Sequence, residues 1–372
     1  MRIFRNSTAA YLLLISARYG QLPYRALRFL SLPYETAKDA FQKLCRAGYL
    51  EVVKAPGHNK SFFLTDSGYE AYLQIMMKDD DPLGWEDWEG FPDKPEFTRN
   101  IQKAIRLSRI NEAQMFFFFL GLAPYRTSLE VKREMEEKAV RSSDNLKYSR
   151  FVGVTWRGQQ ASLVYHFGNG NQRLNVNGER NAAALFSDYK HPCGKFILTE
   201  TEKGLVDILE YSLWALNKSS RELRHMQLNY HITYEDNAIL LPLTKDAGDF
   251  VWAFRHPHWP QTIQRLEEDA RPKEGIFLST LDGTWMDVLV YLSEEHTLDM
   301  PVTFAVWDIQ LPILQELTRR GLLLGGWQAV SYHTKDLCNG ILPFWYDRQG
   351  GLHIPRNCAD RIVERSSAER GC

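Results

Sequence analysis

The segment at positions 32–70 constrains the fold more than any other part of this sequence, because it joins a charged amphipathic helix to two short apolar strands. Ala37, Phe41 and Leu44 recur at the i, i+4 and i+7 spacing of one helical face, so we expect these side chains to pack inward. Gly48 ends the helix, since glycine readily adopts the left-handed backbone that follows many helix C-termini. The opposite face of the helix is left polar and charged.

A hairpin with a basic, polar turn follows this helix. Tyr49–Val53 and Ser61–Leu64 are short apolar runs that predict its two strands. Helical patterns lie on both sides: one run ends at Gly20, one fits Tyr24–Leu30, and one follows the hairpin. The order helix, helix, helix, hairpin, helix is typical of a winged helix-turn-helix domain, which we predict for residues 1–78.

Positive charge is concentrated in this first part of the chain. Residues 1–78 carry eleven Lys and Arg against five Asp and Glu, whereas the whole chain has a net charge of −1. A basic head is expected to meet a polyanion, and an exposed helix can read the major groove, so we predict double-stranded DNA as the partner. A winged helix that contacts only protein is the alternative. The predicted DNA contacts lie on the outer helix face and in the hairpin turn: Thr36, Lys38, Gln42, Lys43, Arg46, His58, Asn59 and Lys60.

Four further segments follow the predicted DNA-binding domain. We predict an acidic linker at 79–97, a helical connector at 98–145, an α/β domain at 146–347 and a polar tail at 348–372. The connector carries a row of basic residues that is a candidate for a second phosphate contact: Arg99, Lys103, Arg106 and Arg109.

Alternating strand and helix patterns predict the α/β domain. Two strands joined by a turn at 157–160 begin it, and from Phe196 onward apolar strand runs alternate with helical runs. This alternation predicts a mixed sheet with a partly parallel core, so the expected fold class is α+β or α/β. A degenerate nuclease-like fold is an alternative for this domain.

No complete catalytic motif occurs in the α/β domain. A metal-dependent nuclease of the PD-(D/E)xK type needs an acid on its first helix and an acid-x-Lys motif on a neighbouring strand. Glu179 could supply the helix acid. Glu200 and Glu202 lie near Lys203, but neither forms an acid-x-Lys motif with it. Asp282 and Asp308 follow predicted strands and are expected to face a common edge of the sheet.

A histidine pair is the strongest metal-like feature of the sequence. His256 and His258 in RHPHWP have the spacing that a relaxase would use, but no third ligand can be assigned. We therefore predict no catalytic residue, no metal and no cofactor.

The chain is expected to be a cytoplasmic globular protein. Its five cysteines are scattered and form no C-x-x-C pair, which is typical of a reduced intracellular protein. With 44% apolar residues it can bury sizeable cores, yet no apolar run is long enough for a membrane span. No membrane partner is expected.

Three stretches of the first 78 residues can be compared with a known family: AAYLLLISARYGQLPYRALRFL, TAKDAFQKLCRAGYLEVV and SFFLTDSGYEAY. They resemble the replication-relaxation family of proteins from plasmids and conjugative elements. A fourth stretch, SRFVGVTWRGQQASLVYHFG, resembles the start of the second domain in such element-encoded proteins. The resemblance implies binding to the DNA of a mobile element, at an origin of replication or transfer, and recruitment of the processing machinery.

The leading hypothesis is a DNA-binding accessory protein of a mobile genetic element. Its α/β domain would form a homodimer or hold replication or transfer proteins. A metal-dependent nuclease or nicking enzyme is one alternative. A transcriptional regulator whose α/β domain senses a ligand or a partner is another.

Overall fold

A computed structural model of the chain divides into two compact units, residues 1–119 and residues 120–372, and each is described by itself. The residues that it describes are 3, 7–29, 33–54, 60–76, 97–119, 125–137, 146, 149–188, 190–219, 222–223, 228–233, 238–254, 258–294, 301–324, 326–336, 345–346 and 352–353. No helix among them is long and apolar enough to cross a membrane.

The first unit combines four α-helices with three short strands among its described residues. In chain order these are α1 (Thr8–Tyr19), β1 (Leu22–Pro23), a 3-10 segment (Tyr24–Phe29), α2 (Tyr34–Arg46), β2 (Leu50–Val53), β3 (Ser61–Leu64), α3 (Asp66–Met76) and α4 (Ile101–Phe119).

The three strands form one antiparallel sheet in the order β1-β3-β2. Phe62 of β3 lies opposite Leu22 on one side and Val52 on the other. The backbone N–H of Tyr24 donates to the carbonyl oxygen of Lys60 at 2.7 Å, which extends the pairing of β1 with the start of β3. The sheet therefore ties the hairpin to the segment that leads into α2.

The inner face of α2 packs as its spacing predicts. Ala37, Phe41 and Leu44 are buried, and the ring of Phe41 makes edge-to-face contacts with Tyr24 and Phe62, at centroid distances of 5.1 and 5.0 Å. Burial of these side chains in one cluster with α1 fixes which face of α2 points outward. The helix predicted at positions 24–30 is instead a 3-10 segment, and the two-residue strand β1 was missed by the sequence pattern.

The segment at positions 97–119 packs on the other elements of the first unit. The ring of Phe97 stacks on Phe63 of β3 with centroids 4.2 Å apart, and the guanidinium of Arg99 bonds both carboxylate oxygens of Glu51 at 3.1 Å. Met115 of α4 is fully buried in the core of this unit. The last helix of the first unit is thus part of its packed structure.

The second unit is a mixed α+β structure. Its helices are α5 (Ser128–Glu137), α6 (Val176–Phe186), α7 (Glu202–Leu216), α8 (Lys245–Phe254), α9 (Trp259–Ala270), α10 (Met286–Ser293), α11 (Leu311–Arg319) and the short α12 (Thr334–Asp336). Its strands are β4 (Tyr125–Thr127), β5 (Gly153–Arg157), β6 (Gln160–Gly168), β7 (Gly194–Thr199), β8 (Ala238–Pro242), β9 (Ile276–Ser279), β10 (Val302–Trp307), β11 (Trp327–Tyr332), β12 (Trp345–Tyr346) and β13 (Leu352–His353).

Two larger sheets organise this unit. A five-stranded sheet has the order β4-β5-β6-β7-β8, with antiparallel pairing from β4 to β6 and parallel pairing from β6 to β8. A three-stranded sheet, β11-β10-β9, is parallel throughout. The predicted mixed sheet with a partly parallel core is confirmed, although β4 and β11 were not anticipated.

One apolar core joins the two sheets. Leu163 and Ile197 of the five-stranded sheet and Phe304 and Val306 of the three-stranded sheet are fully buried in the same cluster. Helices α7, α10 and α11 contribute further aliphatic side chains to it. The alternation of strands with helices in the sequence therefore reflects one continuous core covered by its connecting helices.

An ionic network connects α7 to the end of α11. The guanidinium of Arg320 lies 2.8 Å from an oxygen of Asp207, 2.6 Å from Glu210 and 2.9 Å from Glu316. Hydrogen bonds from Arg319 and Arg320 lower the pKa of Glu316 to about 2, so this carboxylate stays charged through the ordinary pH range.

Gly68 tests the packing of α3 against the hairpin. A Cβ at this position would lie 2.1 Å from the carbonyl oxygen of Tyr49, and neither backbone can yield easily. We expect Gly68→Ala to lower the free energy of unfolding by about 3 kcal/mol, the upper end of the usual cost of overpacking, measured by urea titration with far-UV circular dichroism. Gly326→Ala is the control, because a Cβ there meets no atom within 4 Å. Equal effects of the two substitutions would contradict this packing.

Candidate nucleic-acid interface

The outer face of α2 is the most extensive free polar face among the residues predicted to bind DNA. Thr36, Gln42, Lys43 and Arg46 are exposed, and their side chains make no hydrogen bond or ion pair with any residue that the structure describes. Asp39 shares this face and is equally free. The face therefore presents donors and acceptors that no residue in the described part of the chain uses.

The charge order along α2 suits its helix dipole. Glu35 lies in the first turn, whereas Lys43 and Arg46 lie in the last, where the negative end of the dipole favours cations. These two cations need no carboxylate partner to remain stable in water, so they stay available to an external anion.

Lys38 differs from the other predicted contacts, because it is already paired. Its ammonium lies 2.9 Å from a carboxylate oxygen of Glu35, and this hydrogen bond raises the pKa of Lys38. Tyr24 and Tyr34 lie close enough to act on the same ammonium electrostatically. Lys38 is thus held toward the start of the helix at the edge of the outer face.

The hairpin supplies basic residues at the ends of its strands. Lys54 follows β2 and Lys60 precedes β3, and both are exposed. The predicted contacts His58 and Asn59 lie outside the described residues.

The four basic residues predicted as a row in the connector differ in their surroundings. Arg99 is bound to Glu51, while Lys103 and Arg106 are exposed on α4. Arg109 lies half-buried one turn beyond Arg106. The four residues therefore do not act as one uniform stripe.

Glu179, the candidate helix acid of a nuclease, is built into the core of the second unit. Its carboxylate accepts hydrogen bonds from the Tyr165 hydroxyl at 2.7 Å and from the backbone N–H of Arg150 at 2.6 Å. Burial raises the pKa of Glu179, while these two bonds act in the opposite direction. Both oxygens are occupied in joining α6 to β6 and to the chain entering β5.

The two candidate aspartates follow neighbouring parallel strands, as expected. Asp282 lies after β9 and accepts hydrogen bonds from the backbone and hydroxyl of Thr284. Asp308 lies after β10 and accepts bonds from Thr334 and from the backbone of Ile309, with a ring nitrogen of His333 3.1 Å away. Each carboxylate is used in a turn at the carboxyl edge of its sheet.

The described residues contain no group of three or more His, Cys, Asp or Glu side chains that could hold a metal ion. Glu200 follows β7, and Glu202 opens α7 next to the exposed Lys203. His258 is exposed at the start of α9, and His256 lies outside the described residues.

Comparison with known proteins identifies no relative: no family model, no curated protein and no solved structure matches this chain.

Sequence reasoning missed a buried ionic contact in the first unit. Arg25 of the 3-10 segment bonds Glu112 of α4 through two nitrogens, with Nε 2.6 Å from Oε1. The partners are 87 residues apart, so no local pattern predicts the pair. The one signal in the sequence is that Glu112 is an acid among the apolar residues of a helix.

The buried carboxylate of Glu179 predicts a pH dependence. Because the folded state holds this proton more tightly than the unfolded chain, the group stabilises the fold below its unfolded pKa, near 4.5, and that contribution is lost as the pH rises through the folded pKa. We expect the difference in unfolding free energy, wild type minus Glu179→Gln, to decrease as the pH is raised from about 4.5 to about 8, measured by urea titration.

Glu136→Gln controls for the loss of one negative charge, since Glu136 is an exposed carboxylate on α5. A wild-type minus Glu179→Gln difference that rises with pH would mean that the charged form of Glu179 is the one that the fold favours.

Proposed function

We propose that the first unit is a winged helix that binds double-stranded DNA, and that the protein is a sequence-reading accessory factor of a mobile genetic element. The observation that carries this proposal is the outer face of α2, where Thr36, Gln42, Lys43 and Arg46 are exposed and engage no described residue. In this reading α2 is the recognition helix, and the 3-10 segment before it is the first element of the helix-turn-helix.

The side chains of the outer face of α2 suit recognition of base sequence as well as electrostatic attraction to the DNA backbone. An amide such as that of Gln42 can bond adenine through a donor and an acceptor together. A guanidinium such as that of Arg46 can donate two hydrogen bonds to the O6 and N7 acceptors of guanine. Asp39 on the same face would accept a hydrogen bond from the amino group of cytosine. Its negative charge would repel phosphates and base edges that carry only acceptors. A face built for non-specific attraction would have no use for this acid.

The hairpin is proposed as the wing. Lys54 and Lys60 stand at its two strand ends, where they can meet the phosphate backbone beside the groove that α2 occupies. The hydrogen bond from Tyr24 to Lys60 and the contact of Tyr24 with Phe41 connect this hairpin to α2. Wing and recognition helix would then approach DNA as one rigid body.

The second unit is proposed as the platform for partners. The resemblance to replication-relaxation proteins favours an origin of replication or transfer as the target, with replication or transfer proteins, or a second copy of the chain, bound by this unit. The nuclease hypothesis gains no supporting observation, because Glu179, Asp282 and Asp308 are each engaged in structural hydrogen bonds.

Replacement of two cations on α2 tests the DNA-binding proposal. We expect Lys43→Ala combined with Arg46→Ala to weaken binding to a random-sequence 30-base-pair duplex at least about tenfold. The slope of log K against log salt should fall by about 2, since on a duplex without the preferred site both cations would neutralise phosphates. Fluorescence anisotropy across a salt series measures both quantities.

The matched control is Arg133→Ala with Lys203→Ala, which removes two exposed cations from the second unit. Circular dichroism of both double variants should match the wild type, because all four side chains are exposed. Unchanged affinity and slope in the α2 variant would exclude this helix from the DNA contact.

A further inference from the structure

A half-buried arginine of the first unit has no partner within the described part of the protein. Arg109 of α4 makes no hydrogen bond or ion pair there, although burial lowers its pKa and the nearby Arg25 lowers it further. Glu112 acts in the opposite direction without outweighing these effects. The site around Arg109 therefore disfavours the charge that this residue carries at neutral pH.

The neighbouring carboxylate is committed to another residue. Glu112 lies one helical turn after Arg109 on α4, and its buried carboxylate receives two nitrogens of Arg25 side by side. The side chain of Glu112 is fully buried and that of Arg25 is 14% exposed, so this pair is anchored. Glu112 thus holds Arg25 and makes no hydrogen bond or ion pair with Arg109.

A partly desolvated guanidinium without a bonding partner among the described residues is the arrangement that an oxyanion would complete. Guanidinium presents parallel N–H donors that match phosphate, and such bonds are strongest where water is partly excluded. Arg109 remains accessible from solvent, since it is only half-buried. We propose that Arg109, supported by the Arg25–Glu112 pair, binds a phosphate group.

The phosphate most consistent with the position of this site is one of the DNA backbone. Arg25 belongs to the 3-10 segment, and its neighbour Tyr24 contacts Phe41 of α2. In a helix-turn-helix the element before the recognition helix crosses the backbone, so anion binding is expected there. This assignment of the source rests on the proposed DNA-binding function, whereas the phosphate site itself does not.

Thermal unfolding of the full chain tests the site without DNA. We expect Arg109→Gln to have a higher Tm than the wild type in sodium chloride, because it removes a charge that burial and the positive charge of Arg25 disfavour. In 10 mM sodium phosphate at the same ionic strength, the Tm of the wild type should rise by about 2 °C or more, whereas that of Arg109→Gln should not.

Arg133→Gln, which removes an exposed cation of α5 outside the proposed DNA-binding unit, is the control and should respond to phosphate as the wild type does. Arg109→Lys separates charge from geometry, since it retains the cation without the paired donors and should lose most of the response. Equal responses of the wild type and Arg109→Gln would overturn the proposal, as would a lower Tm of Arg109→Gln in chloride.

Anisotropy with duplex DNA then separates the two sources of phosphate. If the backbone occupies the site, Arg109→Gln lowers the salt slope of DNA binding by about 1, and Arg133→Gln leaves it unchanged. An unchanged slope together with a lost phosphate response would assign the site to a free anion. A failure of all DNA binding would refute the proposed function and leave the result of the phosphate experiment intact.

Discussion

Burial of one face of α2 is the constraint on which the proposed interface depends. Ala37, Phe41 and Leu44 can reach the core of the first unit only if the opposite face turns outward, and Phe41 is locked between Tyr24 and Phe62. Truncation of a buried phenylalanine typically costs about 3–5 kcal/mol, far more than any exposed side chain contributes. The apolar contacts therefore set the orientation of the helix, and the polar residues are free to serve binding.

Contacts between residues that are distant in sequence impose a second constraint on the first unit. The Arg25–Glu112 pair, the stacking of Phe97 on Phe63 and the bond from Arg99 to Glu51 join positions that are distant in sequence. A buried pair of charges contributes little net stability when intact, but loss of one partner is costly, so such contacts fix geometry more than they add free energy. This explains how a short 3-10 segment can hold a defined position beside α2.

Much of the fold could be predicted from local patterns. The inner residues of α2, the hairpin strands and the alternation of strands with helices from Phe196 onward all follow from side-chain periodicity, which depends on near neighbours alone. The strand β1 has two residues and β4 three, which is too short for any period to appear. The edge strand β11 has a half-buried pattern that does not separate clearly from a loop.

The candidate site was less accessible to sequence reasoning. Spacing places Thr36, Gln42, Lys43 and Arg46 on one helical face, but it does not show that Lys38 is paired with Glu35. Glu179 was identified as a helix acid, yet only the fold reveals that its oxygens are taken by Tyr165 and a backbone N–H. Pairing across sheets and between distant helices decides whether a polar residue is free, and that information is tertiary.

Selection of bound sequences from a random duplex library by the full chain tests the central claim most directly. The account predicts enrichment of one motif that spans the few base pairs an inserted helix can contact, with retention that falls steeply as salt is raised. Retention without any enriched motif would mean that α2 contacts only the DNA backbone. An absence of retention at low salt would contradict the account as a whole, because its free polar face would then have no nucleic-acid partner.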